Sequence, residues 1–177
     1  MDPVFVTAIE LGSAIVFLAG AWDKWHDREL FAAAMDAYDL LPSALVPAAA
    51  LGLILLEAAT GVALLMPLSS PWPAACGVFL LLLVTAAVAV NLLRGRSEIS
   101  CGCGGTSGDQ QLSWALVLRN LVLGGLLGAT VLPTATRTMG GFDHAIGLLA
   151  GLMLAGLFAA TSQLLANGPR LDALRNH

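Results

Sequence analysis

The chain has 177 residues, of which 58% are hydrophobic and only 11% charged, with a net charge of −4. Soluble domains run near ~25% charged, so this composition excludes an ordinary soluble fold and points to an integral membrane protein. The acidic balance excludes nucleic-acid binding, which needs a basic stripe, and no Walker, Rossmann or zinc-protease motif is present.

Five stretches reach the ~20 largely apolar residues that a membrane-spanning helix needs: residues 4–21, 44–66, 72–93, 112–132 and 145–166. The first lacks the basic flank and small-residue cleavage site of a secretory signal, so it is expected to be kept as a transmembrane helix. It carries Glu10 and runs into Trp22-Asp23-Lys24-Trp25. In the connection that follows, Phe31, Met35 and Tyr38 recur at i, i+4 and i+7, which predicts a short interfacial helix ending before Leu41-Pro42. The second span carries Glu57, and a tight turn at Leu68-Ser69-Ser70-Pro71 leads to the third. Cys76, in an apolar context at the start of the third span, reads as a small buried hydrophobe. A polar loop then holds Cys101-Gly102-Cys103-Gly104-Gly105, and the fourth span carries Arg119 and Asn120. Gly147, Gly151, Ala155 and Ala159, like Gly124 and Gly128, have the four-residue spacing that lets membrane helices approach closely. The reading is an all-α, integral membrane bundle of about five transmembrane helices: one domain over 1–166, with a short polar tail over 167–177.

With five spans, the first and third connections share a membrane face, so Trp22 to Trp25, Asn91, Cys101, Cys103, Arg119 and Asn120 gather near it. Lys24, Arg28, Arg94, Arg96, Arg170 and Arg175 fall on that side and Arg137 on the other. The positive-inside rule then places the N-terminus outside and the cysteine loop at the cytoplasmic face.

Cys101 and Cys103 are the leading candidates for chemistry. Two thiols one residue apart on glycine-rich backbone suit dithiol–disulfide cycling, and a Cys-X-Cys disulfide is strained and easily reduced. Arg94, Arg96 and the N-terminus of the fourth span would favour the thiolate that attacks. A two-thiolate Cu(I) or zinc site is a second reading, although zinc would want two more ligands and no His or further Cys lies near. A non-catalytic pair is a third.

Glu10 and Glu57 fall within spans, where a charge costs at least ~2.5 kcal/mol and normally has a partner. The two carboxyls could share a proton or pair with Arg119, forming a proton path, the polar end of a quinone-like pocket, or a structural ion pair. Lys24 between two tryptophans reads as a boundary residue whose amine snorkels to the interface, or else as a charge facing the cysteines. His26, His144 and His177 have no ligand spacing and receive no role.

With these residues in view, the chain resembles the MauE family of methylamine-utilisation membrane proteins, within a wider group of DoxX-like helical membrane proteins. The resemblance rests on Trp22-Asp23-Lys24, Tyr38-Asp39-Leu40-Leu41-Pro42, Glu57 with Gly61, Arg94-Gly95, Ile99-Ser100-Cys101-Gly102-Cys103-Gly104, Leu112-Ser113-Trp114 and Arg119-Asn120. Family members often carry an aromatic residue where this chain has Gly104 or Gly105. The resemblance implies a four-helix DoxX-like core plus one helix, in the bacterial inner membrane. It implies a role in maturing the disulfide-rich small subunit of methylamine dehydrogenase, or another disulfide-containing client, with a thioredoxin-like partner of the MauD type. It carries the redox role to Cys101 and Cys103, making the chain a thiol–disulfide oxidoreductase and not a metabolic enzyme. That role favours a periplasmic cysteine face, against the Lys/Arg distribution. The rival expectations are a small membrane transporter or proton-handling protein built on Glu10, Glu57 and Arg119, and a non-catalytic assembly factor.

Overall fold

The computed structural model describes residues 1–66, 71–99, 111–133 and 137–175, with side chains as far as residue 167. Among them are six helices: α1 Pro3–His26, α2 Arg28–Ala37, α3 Val46–Leu65, α4 Trp72–Leu93, α5 Trp114–Ala129 and α6 Gly141–Arg175. The helical membrane architecture read from the sequence, with a short helix between the first two spans, is the one observed. Four helices, α1, α3, α4 and α6 as far as Asn167, are long and apolar enough to cross a membrane. The fifth, α5, has 16 residues, a rise of about 24 Å at ~1.5 Å per residue.

Each helix end has a local cause. At the start of α1, Asp2 accepts a hydrogen bond from the Val4 N–H at 2.9 Å, and Pro3 follows at the position where a missing N–H costs nothing. At the end of α4, Gly95 takes a left-handed φ of 74°. Its N–H bonds to the Leu92 carbonyl, and the Arg96 N–H bonds back to Asn91, both at 3.0 Å. This paired closure satisfies carbonyls that the helix end would leave unmet, and it turns the chain out of the membrane.

Hydrogen bonds at the two ends of the bundle fix the crossing pattern. At one end the terminal amine of Met1 donates to Pro133 O (2.7 Å) and Arg137 pairs with Asp2 and Asp143, so the start of α1, the end of α5 and the start of α6 lie together. At the other end Arg94 and Arg96 reach Asp39, in the corner between α2 and α3. There too the Leu112 N–H bonds to the Ile99 carbonyl at 3.2 Å. Helix α5 therefore starts at the second end and finishes at the first, making a fifth crossing despite its length. Trp22, Trp25 and Trp114 are exposed at the second end and Trp72 at the first, where interfacial aromatics belong.

Helix α1 is central, packed against α3 and α6; α4 packs against α3 and α5. The α1–α6 contact is close. A β-carbon on Gly12 would meet the Gly151 carbonyl oxygen at 2.9 Å, and one on Gly151 would meet the Ala8 carbonyl oxygen at 3.0 Å. Gly151 and Ala155 of the predicted small-residue stripe are buried, whereas Ala159 is exposed. Helices α5 and α6 touch sparingly, which leaves an apolar groove between them with Arg119 in its wall.

Helix α2 is the short helix expected between the first two spans, and its apolar face packs inward. Phe31 is buried with Ala50 and Ile54 of α3, and Tyr38 with Val88, Leu112 and Leu116. The face carrying Phe31, Met35 and Tyr38 is thus spent on the bundle. Cys76 departs from its reading: its side chain is exposed on the outer surface.

Candidate functional site

The polar centre begins with a helix longer than hydropathy suggests. Helix α1 continues through Trp22-Asp23-Lys24-Trp25 to His26, which puts Lys24 on the same stripe as the buried Ala14, Phe17 and Ala21. Lys24 is 8% exposed. Long helical side chains lean toward the N-terminus of their helix, and the amine follows this rule into the bundle. Its Nζ lies 2.6 Å from Glu57 Oε2 and 3.4 Å from the Gly20 carbonyl. The Phe31 ring centre is 5.7 Å away. The snorkelling expectation is therefore overturned: burying one charge is costly, and Glu57 supplies the opposite charge from inside. Gly20 makes the space, since a β-carbon there would stand 3.3 Å from Lys24 Nζ and 3.7 Å from Glu57 Oε2.

Beside the ion pair is a small cavity of about 80 Å³ whose polar lining is Lys24, Glu57, Arg119 and Asn120. Arg119 donates to Ser162 Oγ and to Asn120 Oδ1, the latter at 3.2 and 3.4 Å. Its guanidinium lies 4.3 Å from the centre of the Phe158 ring, a cation–π contact. It has no carboxylate partner among the described residues. Since Lys24 and Glu57 cancel, the cavity carries one net positive charge, held by neutral acceptors and an aromatic face.

Glu10 stands apart. It is half-buried on α1, does not line this cavity and has no ion-pair partner among the described residues. The expected pairing of Glu57 with Glu10 or Arg119 gives way to Lys24, whose amine reaches Glu57 directly.

The second polar group lies where the cysteine-bearing segment leaves the bundle. Cys101, Cys103 and the glycines around them lie outside the described residues; the stem on either side is described. Ile99 and Leu112 are joined by the backbone hydrogen bond noted above and pack with Tyr38, Val88 and Leu116. Asp39 holds the same corner from the other side. Its φ of 52° is left-handed, a conformation Asp tolerates better than most residues. Its carbonyl accepts from Arg94 and its carboxylate pairs with Arg96, both at 3.3 Å. Arg96 thus shares its charge with Asp39. Tyr38 is buried, and that burial pushes its hydroxyl up to about 12. Asn91, in the last turn of α4, is fully buried; its amide donates to Ala87 O (3.0 Å) while its Oδ1 meets no partner among the described residues.

Of the residues singled out in the sequence, Lys24, Glu57, Arg119 and Asn120 share one cavity, and Arg94 and Arg96 share Asp39. Sequence reasoning gave no role to Gly20, Phe158 or Ser162, and named Asp39 only as a polar position and within the Tyr38-to-Pro42 stretch that carries the resemblance. The Lys24 position was detectable: it continues the Ala14, Phe17, Ala21 spacing by three residues, the period of a buried helical stripe.

Helices of this length and apolarity, closed around a buried ion pair, define a multi-pass membrane protein. The family model described as methylamine utilisation protein MauE matches residues 2–133. The chain is 38% identical to the methylamine utilization protein MauE of Paracoccus denitrificans, covering 93% of this chain and 89% of the relative. It is 34% identical to that of Methylorubrum extorquens (90% and 87%) and 30% to that of Methylophilus methylotrophus (95% and 89%). The chain belongs to the MauE family. No solved structure matches it.

Proposed function

We propose that this protein serves methylamine utilisation as a thiol–disulfide exchange protein of the bacterial inner membrane, with Cys101 and Cys103 as the exchanging pair. Its client is the small subunit of methylamine dehydrogenase, or another disulfide-containing protein, reached through a thioredoxin-like partner of the MauD type. One thiolate attacks a disulfide sulfur to give a mixed disulfide, and the second thiol resolves it. The intramolecular Cys101–Cys103 disulfide forms as the partner's disulfide is reduced to two thiols; run in reverse, the same exchange oxidises the partner. The observation that carries this reading is the stem: Ile99 and Leu112 are tied backbone to backbone, against Tyr38 and beside the Asp39–Arg94–Arg96 cluster. The two residues that flank the thiol-bearing segment are thereby tied to one another and packed on the bundle, and membership of the family supports the pathway. Trapping tests it. Replacing the resolving thiol alone, by Cys101→Ser or Cys103→Ser, is expected to accumulate a mixed disulfide with a thioredoxin-like protein, visible on non-reducing gels. No trapped species from either variant contradicts the reading.

A second reading is favoured by one observation, the cavity lined by Lys24, Glu57, Arg119 and Asn120. Buried ionisable groups inside a bundle mark ion or proton pathways, and such a protein would lose its function in Glu57→Gln while its thiols still exchanged.

A further inference from the structure

A second, larger cavity lies between α2, α3 and α4, with a volume of about 440 Å³, within the range of small-molecule sites. Its wall is apolar except for Lys24 and Tyr38. Leu40, Leu41 and Leu83 on its rim are exposed on the outer surface, so it opens toward the lipid. The Lys24 ammonium has three N–H donors. Two point at Glu57 and at the Gly20 carbonyl, which leaves one for the cavity. Because Glu57 neutralises Lys24, the cavity offers a hydrogen-bond donor without net charge. That suits a neutral acceptor such as a ring carbonyl and does not suit an anionic headgroup. The α5–α6 groove is the opposite case, since its Arg119 has no carboxylate partner among the described residues. The cavity also adjoins the cysteine stem: Tyr38 lines it and packs on Leu112 and Ile99.

We propose that the cavity between α2, α3 and α4 binds a membrane quinone, with one ring carbonyl accepting from Lys24 and the tail leaving past Leu40 and Leu41. This rests on the thiol reading above and gives it a direction. Cys101 and Cys103 lose two electrons and two protons as their sulfurs join. The quinone gains both, one proton at each carbonyl oxygen, and leaves as quinol. The new disulfide then oxidises the dithiol of the thioredoxin-like partner.

The test uses full-length protein in lipid nanodiscs and a short-chain ubiquinone bearing a photoreactive azido group. Saturable labelling, displaced by unlabelled ubiquinone and mapped to α2 or α4 around Met35, Tyr38 and Val84, is the expected result. Ala87→Phe fills the cavity and is expected to weaken ubiquinone binding at least tenfold with helical content unchanged. Binding should persist in Cys101→Ser/Cys103→Ser, which separates the cavity from the thiols. Failure of the thiols to reduce bound ubiquinone would overturn the electron-transfer step proposed here and leave thiol exchange with the protein partner, which trapping tests, standing. Labelling that does not saturate, or that falls on Leu118 to Leu126 and Phe158 in the α5–α6 groove, overturns the proposal even if the thiols exchange. So does full affinity in Ala87→Phe.

Discussion

Lys24 shows how one side chain decides the interior of this bundle. Its amine is paired with Glu57 at 2.6 Å in a site where each is more than nine-tenths buried. Breaking a buried pair leaves one charge without compensation, a loss of about 3–5 kcal/mol, whereas replacing both by apolar residues of similar size is often neutral. Lys24→Met and Glu57→Met should each lower stability by that amount in a detergent or nanodisc unfolding assay, and the double variant should recover most of it. Equal and additive losses would show that the two do not act as a pair. Tyr38 offers a second check with a clean signal, because it is the only tyrosine in the chain. Its burial raises the hydroxyl from 10.0 to about 12. Above pH ~10 the unfolded chain releases this proton first, so the folded state binds more protons and stability falls as pH rises from about 10 to 12. Phenolate absorbance should appear only toward the upper limit in the folded protein, and near 10 if α2 does not dock.

The helices themselves were largely legible, because apolar runs of span length leave little choice in lipid. Span 72–93 matches α4 residue for residue. The sequence fell short where hydropathy and helicity part. Trp22-Asp23-Lys24 reads as the end of a hydrophobic run, yet the backbone has no reason to stop there; it stays helical because Glu57 takes the charge. The face of α2 was read correctly as apolar, but periodicity cannot say whether lipid or protein covers it. The pairing of Asp39 with Arg94 and Arg96 joins elements 55 and 57 residues apart, beyond the reach of any local signal. The end of α4 is the best place to test an element. Gly95 holds a φ of 74°, and Gly95→Ala should cost about 1 kcal/mol from the strained backbone. The same change should loosen the stem, raising the rate at which trypsin cuts after Arg94 and Arg96. A variant as stable and as protease-resistant as the parent would mean that this turn does not hold the stem.

Across the whole molecule, chemistry is segregated by end. One end holds the exposed Asp2–Arg137–Asp143 cluster, where the Arg137 guanidinium keeps the Asp2 carboxyl below its usual range. The other holds Asp39 with Arg94 and Arg96, the Ile99–Leu112 stem and, just within the bundle, the Lys24–Glu57 pair. An odd number of crossings brings Ile99 and Leu112, which flank the cysteine-bearing connection, to the same end as the Lys24–Glu57 pair. The proposed thiol exchange belongs to that end. The measurement that bears on it most directly is the disulfide content of the methylamine dehydrogenase small subunit in cells carrying Cys101→Ser/Cys103→Ser, with the amount of membrane protein checked in parallel. Loss of the client's disulfides at an unchanged level of the variant is the predicted result; a fully oxidised, mature subunit in the double variant would contradict it.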